Sequence, residues 1–294
     1  MLHYTITTIA TYLLALMAVA FYTLLERKGL GYFQLRKGPN KASFAGITQP
    51  LADALKLLTK DLAPPAHSNT FPFILTPVIM LGLAISLWQL FPSPMMTYSL
   101  TLGMLLFLCI SSLTAYTTLM AGWSSNSKYA LLGAIRAMAQ TISYEVPMTL
   151  IVLFYLFLTA SLDILTIQNN SFNPPHMILF WPLAIIWIVT TYAETNRTPF
   201  DFTEGESELV SGFNVEYSGA GFTLMFMAEY SNILMMSIIT SCLLTGTLII
   251  SPLLAISFLW IRATMPRYRY DLLMSLTWKA FLPTSLTALC ALIP

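Results

Sequence analysis

The sequence predicts an all-α fold: a polytopic transmembrane helical bundle of about eight spans plus an interfacial amphipathic helix, forming a single domain over 1–294. Three observations lead there. Charged residues are 9% of the chain and hydrophobic ones 56%, whereas a soluble domain carries about 25% charge. A helix needs roughly 20 apolar residues to cross a bilayer. Stretches of that kind recur at about 3–25, 71–91, 99–121, 137–160, 177–193, 218–241, 245–261 and 278–294. All 14 Lys and Arg residues lie in, or at the edge of, odd-numbered connections, while the even-numbered ones hold Asp163 as their only charge. Such a bias fixes orientation, with the basic connections on the side from which the chain is inserted and both termini opposite. An outer-membrane barrel would need alternating strands of about ten residues, which these long runs of Leu, Ile, Met and Phe are not.

The first span opens MLHYTITTIATYLLALMAVAFYTLLERK, with neither a basic n-region nor a small-residue cleavage site, so it is expected to be retained. Glu26 and Arg27 follow at its membrane edge, then Arg36 and a Gly-Pro-Asn turn signal. Next, Leu51, Leu55, Leu58 and Leu62 recur at helical spacing, with Asp53, Lys56 and Lys60 on another stripe. Pro50 suits the first turn of that helix, which should lie in the membrane interface.

Further on, carboxylates enter the spans. Glu145 falls in the fourth and Glu229 near the middle of the sixth. A mid-span acid costs roughly 2.5–3.5 kcal/mol to insert, so it is expected to face a polar path or a partner. Arg136, Gln140 and Tyr144 share one face of the fourth span, Glu145 turns toward Thr141, and Pro147 interrupts the backbone ladder.

The fifth connection, ETNRTPFDFTEGESELVSGFNVEY, is the most polar part of the chain. It packs six of the 13 acidic residues (Glu194, Asp201, Glu204, Glu206, Glu208 and Glu216) around a single base, Arg197. Crowded carboxylates beside a bilayer repel one another and lose hydration, and both effects favour holding a proton near neutral pH. Thr203 and Glu206 fit a capping box, and Gly212 a helix stop, so a short helix is expected there. On it Glu204 and Glu208 would share a face at i, i+4.

Other chemistries are not supported. Cys109, Cys242 and Cys290 lie far apart in apolar spans, and His3, His67 and His176 lie near span ends or in connections. No metal site is expected from them. Gly219-Ala220-Gly221 lacks the third glycine and the preceding strand of a dinucleotide fingerprint. No catalytic group is marked by a motif, and no nucleic-acid partner is expected.

Four stretches carry a family resemblance: LERKGLGYFQLRKGPN, GWSSNSKYALLGAIRAMAQTISYE, AETNRTPFDFTEGESELVSGFNVEY and FLWIRATMPRYRYDLLM. Together they resemble the subunit 1 family of NADH:ubiquinone oxidoreductase, respiratory complex I, in its animal mitochondrial form. The resemblance implies a multi-pass subunit of the mitochondrial inner membrane with odd-numbered connections on the matrix side and both termini facing the intermembrane space. It implies a ubiquinone entrance and chamber wall near Glu26, Arg27, Arg36, Asp53 and Arg262. It also implies a proton path through Glu145, Glu194, Asp201, Glu204, Glu206, Glu208, Glu216 and Glu229, supported by Lys128, Arg136, Tyr144 and Arg197. Ubiquinone would be the substrate, with NADH, FMN and iron–sulfur clusters in partner subunits. The implied partners are matrix-arm subunits of the quinone site, small membrane-arm subunits and lipids. A stand-alone proton-coupled secondary transporter is the rival expectation, and it would show an internal repeat; the acidic connection has no second copy.

Overall fold

A computed structural model describes residues 2–92, 100–172, 174–202 and 212–292, and all regular structure in them is helical. Among the described residues, five helices are long and apolar enough to cross a membrane: α1 (Leu2–Phe33), α3 (Thr70–Leu87, continued by a 3-10 turn to Leu90), α4 (Gly103–Ser124), α5 (Lys128–Thr159) and α9 (Gly219–Leu244). Three shorter or broken segments stand where the other three spans are expected. One is α7 (His176–Leu179) with α8 (Trp181–Glu194), another is α10 (Ser251–Thr264) behind a 3-10 turn. The last is α11 (Tyr270–Leu276), joined through a π-helical turn at Thr277–Phe281 to α12 (Leu282–Leu292). The chain is a multi-pass, all-helical membrane protein.

The connections sort to two ends of the bundle, as their charge predicts. At the basic end, Asn69 N–H donates to Ser124 O at 2.9 Å and Asn126 Nδ2 to His67 O at 3.1 Å, joining the first and third connections. Tyr268 N–H donates to Pro199 O at 3.0 Å, joining the seventh to the fifth. At the other end, Met104 N–H donates to Leu162 O at 3.1 Å, Ser171 Oγ donates to Cys242 O at 2.6 Å, and the His176 ring lies 3.1 Å from Leu243 O.

Packing follows residue size. Where the facing ends of α4 and α5 come closest, the contact is made by Ala121, Gly122, Ala130 and Ala134, and a Cβ on Gly122 would fall 2.3 Å from Ala134 Cβ; farther along, Met104, Phe107 and Ile110 share a core with Met148 and Ile151. Helices in lipid gain little from apolar burial between them, so small side chains that allow close backbone contact hold this pair. Large apolar side chains fall on both sides: Phe107, Met148 and Trp187 are fully buried, whereas Leu13, Leu14, Phe157 and Trp260 are exposed on the isolated chain.

The amphipathic helix forms as α2 (Gln49–Leu58) with Pro50 in its first turn, and α6 (Ile164–Asn170) is a short helix at the opposite end. Leu51, Leu55 and Leu58 face outward, and Leu62 lies past its end. At about 1.5 Å rise per residue, α2 is too short to cross a bilayer.

Two expected boundaries move. α1 runs on to Phe33, so Glu26 and Arg27 belong to the helix rather than to the connection after it. α5 starts at Lys128, so Lys128 and Arg136 are helical as well. In both cases the polar end of the helix still has its backbone hydrogen bonds, and apolar length alone underestimates where a helix stops. The short helix expected around Thr203–Gly212 lies outside the described residues, as do Glu204, Glu206 and Glu208.

Candidate functional site: a charged-mouthed cavity and its carboxylates

α1, α2 and α9 enclose a cavity of about 510 Å³ at the basic end of the bundle. Its apolar wall comes from Leu16, Val19 and Ala20 of α1 and from Phe222, Phe226 and Met227 of α9. Glu26, Arg27, Asp53, Arg197, Tyr230 and Arg262 supply its polar wall. Residues that lie far apart in sequence are thus gathered around one space.

Two ion-pair systems organise the polar part. Arg27 Nη1 donates to Asp53 Oδ2 at 2.6 Å, and Gln49 Nε2 donates to Asp53 Oδ1 at 2.9 Å, tying α2 to α1. Deeper, Glu26 is buried and accepts from both Arg262 Nη1 and Tyr230 Oη. Arg262 keeps a third of its side chain exposed, so the group bridges the buried and open parts of the cavity. A buried carboxylate is tolerable only with charge and hydrogen-bond partners, and Glu26 has both.

Arg197 faces the cavity from the fifth connection. Its guanidinium stands 4.5 Å above the Tyr230 ring, a cation–π contact. Its Nη2 lies 3.9 Å from Glu229 Oε2, and both side chains are nearly enclosed. The mid-span acid has therefore found the one base of the acidic connection. Asp201, also buried, is met by Arg267 Nη2 at 3.5 Å.

A second acid pair adjoins this. Glu194 is the last residue of α8 and the first of the acidic connection. Its Oε2 is enclosed and has no hydrogen-bond partner among the described residues. Burial, and then repulsion from Glu145, raises its carboxyl from 4.5 to about 8. Glu145 is half-buried on α5. Tyr144 beside it is fully buried, its ring 6.2 Å from that of Phe200.

Other expected site residues stand elsewhere. Arg36 and Lys128 are exposed, and neither lines the cavity. Arg136 acts electrostatically on the Tyr270 phenol, and Glu216 is half-buried just before Tyr217. Sequence reasoning missed Tyr230, Arg267 and Gln140. Tyr230 was signalled only by standing next to Glu229; nothing local marks the other two, whose partners are over 50 residues away.

Comparison with known proteins decides the family. The NADH dehydrogenase family profile matches residues 6–293. The chain belongs to that family. Among its relatives is the NADH-ubiquinone oxidoreductase chain 1 of Emballonura alecto, 52% identical over 289 residues, 94% of this chain and 91% of the relative. Those of Heterololigo bleekeri and Aedes aegypti are each 51% identical, over 95% and 93% of this chain and 93% and 90% of theirs.

Proposed function

We propose that this chain is a core membrane subunit of a proton-pumping NADH:ubiquinone oxidoreductase of the mitochondrial inner membrane, with its basic end toward the matrix. The cavity between α1, α2 and α9 is the ubiquinone entrance and part of the chamber wall. The observation that carries the reading is the division of that cavity into an apolar wall inside the bundle and a charged wall at its basic end. An isoprenoid quinone needs apolar surface for its tail and hydrogen-bonding groups for its head, which is the usual division of a ligand pocket. Ubiquinone is the substrate; NADH, FMN and iron–sulfur clusters belong to partner subunits, among them the matrix-arm subunits that complete the quinone site. Small membrane-arm subunits and lipids cover the exposed apolar faces.

Two electrons alone would leave a quinone dianion, and forming the neutral quinol draws two protons from its surroundings, so the groups that donate them lose charge until they are reprotonated. Arg197 touches the Tyr230 ring on the cavity wall and lies beside Glu229 at the same time. A change of charge in the cavity therefore acts on Glu229 through a single guanidinium, and Glu145 with Glu194 forms the next pair of acids. From there the path leads through Asp201, Glu204, Glu206, Glu208 and Glu216 to distant pumping sites.

The test is separation of activities in the assembled complex. Asp53→Asn breaks the Arg27 pair at the mouth and should slow quinone-dependent NADH oxidation, while NADH oxidation by artificial acceptors stays intact. Arg36→Gln should lower quinone reduction less, because Arg36 stands outside the cavity wall. Wild-type quinone reduction in Asp53→Asn would remove the support for an entrance here, and equal loss of both activities would instead mean failed assembly.

A further inference from the structure

Gln140 is fully buried in the middle of α5, and its amide faces the fifth connection. Nε2 spends both of its hydrogens on that connection: it donates to Ala193 O at 3.0 Å and to Phe200 O at 2.9 Å. Those two carbonyls bracket the turn 193–200. Glu194 and Arg197 lie within the turn, and Asp201 follows it directly. The turn has some bonds of its own, Asn196 N–H to Ala193 O at 3.3 Å and Phe200 N–H to Arg197 O at 2.9 Å. None of these spans from one end to the other; among the described residues the Gln140 amide does, while Tyr268 N–H separately ties Pro199 O to the seventh connection at 3.0 Å.

We propose that Gln140 is a positioning residue: its amide clamps the turn 193–200 shut and thereby fixes Arg197 between the cavity and Glu229. The inference rests on the cavity reading above and extends it to a residue that touches neither the cavity nor an acid. Both ends of the clamp are needed. A side chain that held only Ala193 O would leave the Phe200 side tied to the seventh connection alone, by Tyr268 N–H on Pro199 O and Arg267 on Asp201. That side would no longer be drawn toward Ala193, so the setting of Arg197 between the two ends would relax. Gln suits the position because one neutral group delivers two diverging N–H donors to two carbonyls without bringing a charge into a dry site. Its Oε1, which has no hydrogen-bond partner among the described residues, is the cost of that arrangement.

The experiment compares Gln140→Met and Gln140→Glu in the assembled complex, each alone and combined with Arg197→Lys. Met keeps the length of the side chain and removes both donors; a neutral Glu keeps the shape and donates once. Quinone-dependent turnover should fall in the order wild type, Gln140→Glu, Gln140→Met, with the Met variant down about tenfold, as expected for two lost buried hydrogen bonds. NADH oxidation by an artificial acceptor should stay unchanged. Because Gln140 acts through Arg197, the double variants should be no slower than Arg197→Lys alone. Effects that multiply would overturn the proposal, as would wild-type turnover in Gln140→Met. If Gln140→Met does not assemble, the Gln140→Glu cycle decides by the same criterion. Arg197→Lys by itself distinguishes the two failures: wild-type turnover there sinks the cavity reading, whereas slow turnover with multiplying effects sinks only the clamp.

Discussion

The two ends of this bundle are built from the same apolar helices and differ in nearly everything else. At the end formed by the odd-numbered connections, Glu26 is buried against Arg262 and Tyr230, Asp201 meets Arg267, and Arg197 reaches Glu229. At the other end the one charge is Asp163, whose Oδ1 accepts from Leu165 N–H at 3.2 Å and caps α6. The side chains packed there are Phe154, Phe180, Tyr155 and His176, ring on ring. One end is held by apolar contact and a helix cap; the other pays for buried charge. Ionised groups are costly in a dry setting and survive when something other than stability selects them. The contrast supports the proposed quinone site at the basic end, and substitutions at the two ends should differ accordingly.

The largest effect is expected at Glu26. Arg262→Met leaves this buried carboxylate with Tyr230 as its remaining described partner, and breaking a buried pair costs about 3–5 kcal/mol, less here because Arg262 is partly exposed. The yield of assembled complex on native gels should drop, and Glu26→Gln introduced alongside should recover part of it. The exposed Arg269–Asp271 pair provides the contrast, for Asp271→Asn should leave yield unchanged.

Next comes the far anchor of the acidic connection. A Cβ on Gly133 of α5 would lie 2.8 Å from Gly212 Cα and 3.1 Å from Phe213 N, both backbone atoms that cannot turn aside. Gly133→Ala should cost about 1–3 kcal/mol in overpacking. Proton translocation per NADH in sealed vesicles should fall, with NADH oxidation by artificial acceptors preserved.

A smaller, pH-dependent effect belongs to Glu194. Its folded carboxyl is raised to about 8 from 4.5, so the folded protein keeps a proton that the unfolded chain releases. Stability is therefore lost as pH rises from about 4.5 to about 8 and is level above that. Glu194→Gln removes the term, and thermal inactivation of the variant complex should be flatter between pH 6 and pH 8 by comparison with wild type. The smallest effect is at the other end. Asp163→Asn still offers an oxygen to Leu165 N–H, so stability and quinone turnover should stay within about 0.5 kcal/mol of wild type.

Much of this was legible in the chain. Apolar runs gave the spans, and the spacing of Lys and Arg gave the two ends, because both depend on composition over tens of residues. Glu229 was recognisable from the cost of a mid-span acid. What the sequence could not give was pairing across distance. Glu26 carries no local sign that its partners are Tyr230 and Arg262, more than 200 positions on. Gln140 shares a helical face with Arg136 and Tyr144, yet its role depends on two carbonyls of another segment. Helix ends were misjudged for a related reason: α1 continues seven residues past Glu26 because hydrogen bonding, not hydropathy, decides where a helix stops.

The central claim, that the cavity at the basic end takes the quinone, is tested most directly by photoaffinity labelling. The complex would be irradiated with a photoreactive ubiquinone analogue, with and without excess ubiquinone, and the labelled peptides sequenced. Label should appear, and be displaced by ubiquinone, in the α1 segment 16–30 or the α9 segment 222–230, both of which line the cavity. Displaceable label confined to the Asp163 end, or absent from this chain altogether, would contradict the account.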